Sequence, residues 1–141
     1  MAIKINTEKR IFTLETKHTM YQMQADTYGV LRHLWYGAKT GCDMSYLQDY
    51  PDVGFSGNPH DAGNDRTYSL DTLPLEYAGA GIGDFRVPAV EAVHADGSCA
   101  LDLRYYSHTV KQGKYAIAGL PALYAGEDEA ETLEVVLRDT A

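Results

Sequence analysis

The chain has 141 residues, 45% of them hydrophobic and 23% charged, which suits one folded domain or a piece of one and is too apolar for intrinsic disorder. Twenty acidic residues against 12 basic ones leave a net charge of −8, so neither nucleic acid nor an anionic membrane surface is an expected partner. No apolar run nears the roughly 18 residues of a spanning helix, and the opening Met1-Ala2-Ile3-Lys4-Ile5-Asn6 lacks the apolar core of a secretion signal. A cytoplasmic chain is expected.

Residues 10–16 are rich in β-formers (Ile11, Phe12, Thr13, Leu14). Tyr21, Met23 and Ala25 then alternate with Gln22 and Gln24, the period of a half-buried strand. Asp26-Thr27-Tyr28-Gly29 reads as a turn, and the run from Val30 to Tyr36 closes at Gly37. The first 37 residues therefore predict a meander of three strands. Trp35, on the last of them, is expected in the core.

Residues 37–83 break this rhythm with eight glycines and with Pro51, Pro59 and Pro74. Long regular elements do not survive such punctuation, and a loop of this length is usually functional. Its aromatics and leucines (Tyr46, Tyr50, Phe55, Tyr68, Leu70, Leu73) predict order against something, another chain included. Strand rhythm returns in residues 87–94 and 99–106, on either side of Asp96-Gly97, a strong hairpin signal. On the return strand Leu101, Leu103 and Tyr105 share one face, and Asp102, Arg104 and Tyr106 the other. Turns are expected at residues 111–114 and 119–121, and the acidic residues from Glu127 to Glu131 suit a solvated loop. The last element, residues 132–138, alternates Leu133, Val135 and Leu137 with Glu134 and Arg138. The class is all-β, an antiparallel β-sandwich.

Little chemistry can be read from spacing. The five histidines and two cysteines show no metal-ligand pattern, so no metal is expected. Cys42 and Cys99 read as buried reduced thiols. Gly79-Ala80-Gly81-Ile82-Gly83 lacks the lysine and helix start of a phosphate cradle, and positive backbone φ accounts for it better. Twenty carboxylates guarantee chance pairs, so their number alone does not indicate a glycosidase.

One region is more informative. Asp52-Val53-Gly54-Phe55-Ser56-Gly57-Asn58-Pro59, followed by Asp65-Arg66-Thr67-Tyr68-Ser69-Leu70-Asp71 and Leu73-Pro74-Leu75-Glu76-Tyr77, resembles the early part of bacterial α-galactosidases of glycoside hydrolase family 36. Gly83-Asp84-Phe85-Arg86, Asp102-Leu103-Arg104-Tyr105, Gly119-Leu120-Pro121-Ala122 and Glu129-Ala130-Glu131-Thr132-Leu133-Glu134 extend the resemblance over nearly the whole chain. It implies part of an N-terminal β-supersandwich of the galactose mutarotase kind. Residues 1–141 would form an incomplete N-terminal domain, with the nucleophilic and acid/base aspartates on a (β/α)₈ barrel outside it. No catalytic residue is then expected in this chain, no cofactor, and no activity by itself. The implied partners are the protein's own barrel, neighbouring subunits of a homo-oligomer (commonly a tetramer) and a galactoside of the raffinose or melibiose type. The implied substrate-binding residues are Asp52, Phe55 and Arg66, on a loop lent to a neighbouring subunit's active site. Val53 departs from the pattern, since the family often has a basic residue there. A free-standing carbohydrate-binding module and a purely structural assembly domain are the alternatives, and an Asp52–Arg66 pair that merely stabilises its own loop is the plainest reading of those two residues.

Overall fold

The computed structural model describes residues 2–48, 50, 52, 60–122, 124–126 and 129–141. Four strands, β1 (Ala2–Asn6), β2 (Ile11–Glu15), β3 (Thr19–Ala25) and β4 (Leu31–Ala38), form an antiparallel meander in that order. Two more, β5 (Leu103–Gln112) and β6 (Glu131–Asp139), form a separate antiparallel ribbon. The described helical structure is two single 3₁₀ turns, Ser45–Gln48 and His60–Ala62. The expected all-β, antiparallel class is what the structure has.

Alternation along the strands places one apolar row on each face of the meander. Phe12, Ala25 and Leu31 point inward and pack with Tyr105, Leu133, Val135 and Leu137 of the ribbon, so the two sheets share a core. The Phe12 ring, fully buried, lies edge-on to His108 at 5.0 Å and tilted to Tyr105 at 5.9 Å. On the other face Ile11, Met20, Leu34 and Met44 form a second cluster, with Trp35 half-buried against it. Glu131 joins the layers by accepting the Ile3 amide at 2.6 Å, which blunts the outer edge of β1.

The sequence reading needs four corrections. The meander has a fourth strand, β1, whose Ile3/Ile5 alternation is short but legible. The Asp96-Gly97 turn exists, with Gly97 at φ 85° and the His94 amide donating to the Ser98 carbonyl, but no hairpin ladder flanks it. Residues 87–94 make a single bridge, Gly79 to Val90, and β5 begins only at Leu103 and pairs with β6. The backbone groups that would have made the ladder are used elsewhere. Leu101 N–H goes to Ala80, the Ala100 carbonyl to the His94 ring, and Asp102 N–H to the Asp139 carboxylate. Third, Cys42 and Cys99 are free as expected but exposed rather than buried, each in a loop. Fourth, Arg104 is buried, although its alternation put it opposite the apolar face; Asp102 and the Tyr28 carbonyl satisfy its guanidinium there.

The described part of the irregular stretch folds on its own chain. Tyr68, Leu70 and Leu73 join Val30 and Ala62 in a third core cluster at one end of the meander. The glycine-rich segment behaves as expected. Gly81 and Gly83 have positive φ, while a Cβ on Gly79 would lie 2.1 Å from the Leu101 carbonyl oxygen.

Candidate functional site

Two of the three expected residues meet. Arg66 Nε lies 3.2 Å from Asp52 Oδ1, and both side chains are more than half exposed. Phe55, the third, lies outside the described residues. An exposed pair of this kind adds little stability, roughly 0–1 kcal/mol. The pair instead presents a carboxylate that accepts and a planar guanidinium that donates, side by side at the surface.

What lies beneath is far from loose. Arg66 sits on a tight turn in which Asp65 accepts the Thr67 amide at 3.0 Å and its hydroxyl at 2.6 Å. The side-chain hydrogen bond from Thr67, ahead of that from its amide, holds the Asp65 carboxyl below its ordinary pKa. Upstream, Asp65 N–H reaches the carbonyl of buried Ala62; downstream, Tyr68 N–H returns to the Asp65 carbonyl. The Tyr68 hydroxyl then donates to Asp26 Oδ2 at 2.5 Å. Burial, reinforced by the Asp26 carboxylate, pushes the Tyr68 phenol well above its ordinary pKa, so it remains a donor.

Asp26 is a buried hub. Its Oδ1 accepts the Tyr28 and Val30 amides, forming the expected turn at residues 26–29, and Arg32 Nε approaches its Oδ2 at 3.3 Å. The Arg32 guanidinium lies over the Tyr68 ring, 5.7 Å from its centroid, and Tyr28 meets the same ring edge-on at 4.7 Å.

Two Asp-x-Arg forks complete the support. Arg86 is held at both ends by Asp84 (2.9 Å each), and its Nη2 also donates to the Leu70 and Leu73 carbonyls at 2.7 and 2.8 Å. Burial would raise the Asp84 carboxyl, but Arg86 outweighs it and holds it low. Arg104 repeats the arrangement with Asp102 (2.6 and 2.9 Å) and donates to the Tyr28 carbonyl at 3.0 Å. Burial opposes its charge, yet Asp102 leaves the Arg104 pKa raised. Asp26, Tyr68, Arg86 and Arg104 were not singled out from the sequence as site residues. The repeated Asp-x-Arg spacing was the available signal, since residues two apart on an extended chain let one carboxylate grip its neighbour's guanidinium.

A separate cluster fastens the exit of the irregular stretch. Glu76 accepts from His33 Nδ1 at 2.8 Å and from the Tyr21 hydroxyl, while Glu76 N–H and the Pro74 carbonyl bond the edge of β4. Among the described residues no group of three or more His, Cys, Asp or Glu could hold a metal ion, and no helix is long and apolar enough to cross a membrane.

Residues 29–141, which include Asp52, Arg66, Tyr68 and both Asp-x-Arg forks and begin just after Asp26 and Tyr28, match the model of the glycosyl hydrolase family 36 N-terminal domain. The chain belongs to that family. It is 53% identical over 99% of its length to the bifunctional alpha-galactosidase/sucrose kinase AgaSK of Mediterraneibacter gnavus, and 42% identical over 99% of its length to the alpha-galactosidase AgaA of Geobacillus stearothermophilus. The family 36 chain spans only 15% and 19% of those two relatives. The galactosidase domain of AgaSK superposes with a TM-score of 0.93 at 52% identity, covering 99% of this chain and 19% of that one. A Geobacillus stearothermophilus AgaA variant in complex with raffinose superposes at 0.81 with 41% identity, covering 92% of this chain and 18% of that one.

Proposed function

We propose that this family 36 domain is an accessory and assembly part of a retaining α-galactosidase that hydrolyses terminal α-galactosides of the raffinose or melibiose type. In this reading the reaction runs through a covalent galactosyl-enzyme intermediate on aspartates of a (β/α)₈ barrel supplied by further polypeptide, without metal or organic cofactor. The domain lends the loop bearing Asp52 and Arg66, with Phe55 assigned alongside them by resemblance, to the active site of a neighbouring subunit in a homo-oligomer. The observation that carries this is the exposed Asp52–Arg66 pair mounted on a deeply anchored turn. That anchoring fixes where the turn presents its surface pair.

Two features favour a sandwich completed by more chain. Among the described residues β6 has one strand neighbour, which leaves its outer edge open. Beside it lies an open apolar groove of about 540 Å³, lined by Leu31, Val90, Leu101, Leu103, Val135 and Leu137. Exposed Tyr115, Ile117, Leu120 and Tyr124 add an apolar surface suited to subunit or barrel contact, which favours the assembly role alongside sugar binding. Two exposed free thiols suit a reducing, cytoplasmic compartment.

The test is a chimera in which this chain replaces the matching segment of the AgaSK galactosidase domain. Asp52→Ala or Arg66→Ala should lower kcat/KM roughly 10- to 100-fold, the scale of one charge-assisted hydrogen bond of about 1.5–3 kcal/mol. Full activity in both variants would end the reading and leave a plain interface. Mixing Asp52→Ala subunits with subunits lacking the barrel nucleophile locates the loop's target. Activity that simply follows the fraction of doubly intact subunits would place the loop in its own subunit's site. Measurable galactose affinity of the 141-residue chain alone would instead favour a free-standing module.

A further inference from the structure

Arg66 is exposed, but its place is set by a residue that no sugar could touch. Tyr68, two positions on, is buried, and its hydroxyl ends on the Asp26 carboxylate, itself only 4% exposed. Asp26 belongs to the rigid end of the meander: its backbone N–H bonds the Val30 carbonyl, and its Oδ1 takes two turn amides. Between Arg66 and this anchor stands Thr67, whose amide and hydroxyl are both fixed on Asp65. Two residues of chain reach at most about 7 Å, so the Arg66 backbone cannot stray far while the Tyr68 hydroxyl is seated.

We propose that Tyr68, through its hydrogen bond to Asp26, is a positioning residue that holds Arg66, and with it Asp52, in register for a sugar hydroxyl. This rests on the function proposed above. The ring and the hydroxyl have separable duties. The ring packs between Tyr28 and Arg32 and fills the third core cluster, work that phenylalanine can do. The hydroxyl adds the hydrogen bond to Asp26, which phenylalanine cannot make. Asp26 keeps its amide donors and Arg32 when the hydroxyl is lost, so the carboxylate is not left unpaired.

Tyr68→Phe tests this in two settings. In the 141-residue chain, hydrogen exchange of the Asp65 and Tyr68 amides should quicken at least tenfold, while amides of the β2–β3 ladder keep their rates. In the chimera, KM for an α-galactoside should rise about three- to tenfold with kcat within twofold, as expected when binding geometry alone is lost. The Tyr68→Phe/Arg66→Ala double variant should be no worse than Arg66→Ala, because Tyr68 acts through Arg66. Unchanged exchange at 65–68, or effects of the two substitutions that multiply, would overturn the positioning role by itself. An Arg66→Ala chimera with unchanged KM would overturn the sugar-binding reading, and this proposal with it, even if exchange quickens.

Discussion

The meander β1–β4 and the irregular residues 60–102 are held together by different means. In the meander, backbone pairs with backbone along three ladders, and the side chains are left to pack apolar rows on both faces. In the irregular region backbone pairs with backbone only in tight turns and isolated links, and side chains supply partners that a ladder would have given. Arg86 covers the Leu70 and Leu73 carbonyls, Asp65 covers the Thr67 amide, and Asp84 covers the Arg86 amide. The difference shows how a segment without regular structure can be as well buried as a sheet: Leu70 and Leu73 are as inaccessible as Met20. Every buried backbone group must find a partner, and where no strand supplies one, a forked guanidinium can.

The largest effects should come from the apolar centres of the two regions. Phe12→Ala, between the sheets, should cost about 3–5 kcal/mol, and Leu70→Ala, in the loop cluster, about 2–5 kcal/mol. Both should shift a single cooperative unfolding transition monitored by circular dichroism and by tyrosine fluorescence. A Leu70→Ala transition that splits between the two probes would show that the regions unfold separately.

Arg86→Ala should come next, at about 3 kcal/mol, because it strands a buried carboxylate and leaves two carbonyls without their donor. Arg86→Lys should recover less than half of that, since an ammonium cannot grip Asp84 and reach two carbonyls in one plane. Equal stability of the lysine variant and the parent in urea titration would remove the fork from the comparison.

A smaller effect is expected with pH. The Asp84 carboxyl is held below its ordinary 3.8, and the Lys9 ammonium beside Asp43 holds that carboxyl down to about 2. A depressed folded pKa contributes stability that is complete above the unfolded value and lost as pH falls through the folded one. The thermal midpoint should therefore fall between about pH 4 and pH 2. Asp84→Asn should flatten that fall for the irregular region, and Asp43→Asn for the meander edge. A midpoint that declines identically in the parent and both variants would sink the assignment.

The smallest effect on stability should come from the site itself. Arg66→Ala is expected to move the unfolding free energy by less than about 0.5 kcal/mol, despite the loss of sugar binding expected of it in an assembled enzyme. A larger destabilisation would turn the pair back into the plain loop brace that the sequence also allowed.

Strand period and the Asp26–Gly29 turn made three of the meander's strands legible, because a half-buried strand must alternate and a turn must have its own residue types. The same rule misled at Asp96-Gly97. That turn formed, but its flanks were claimed by Ala80, His94 and Asp139, partners that local pattern cannot announce. At the candidate site, the ordered motifs around Asp52 and Arg66 pointed to both residues through family resemblance, and the structure brings them to 3.2 Å. The buried support had a weaker trace, the two Asp-x-Arg pairs, and nothing in spacing linked Tyr68 to an aspartate 42 residues earlier.

What the sequence determined by itself was therefore the all-β class, most of the meander and the family, since each is written in neighbouring residues or in ordered motifs. Only the tertiary structure decided that residues 60–102 fold on their own chain, that β5 pairs with β6, and that Asp26 and Arg104 are interior. Those outcomes depend on which distant partner satisfies a buried polar group, and such a partner is chosen by packing in three dimensions.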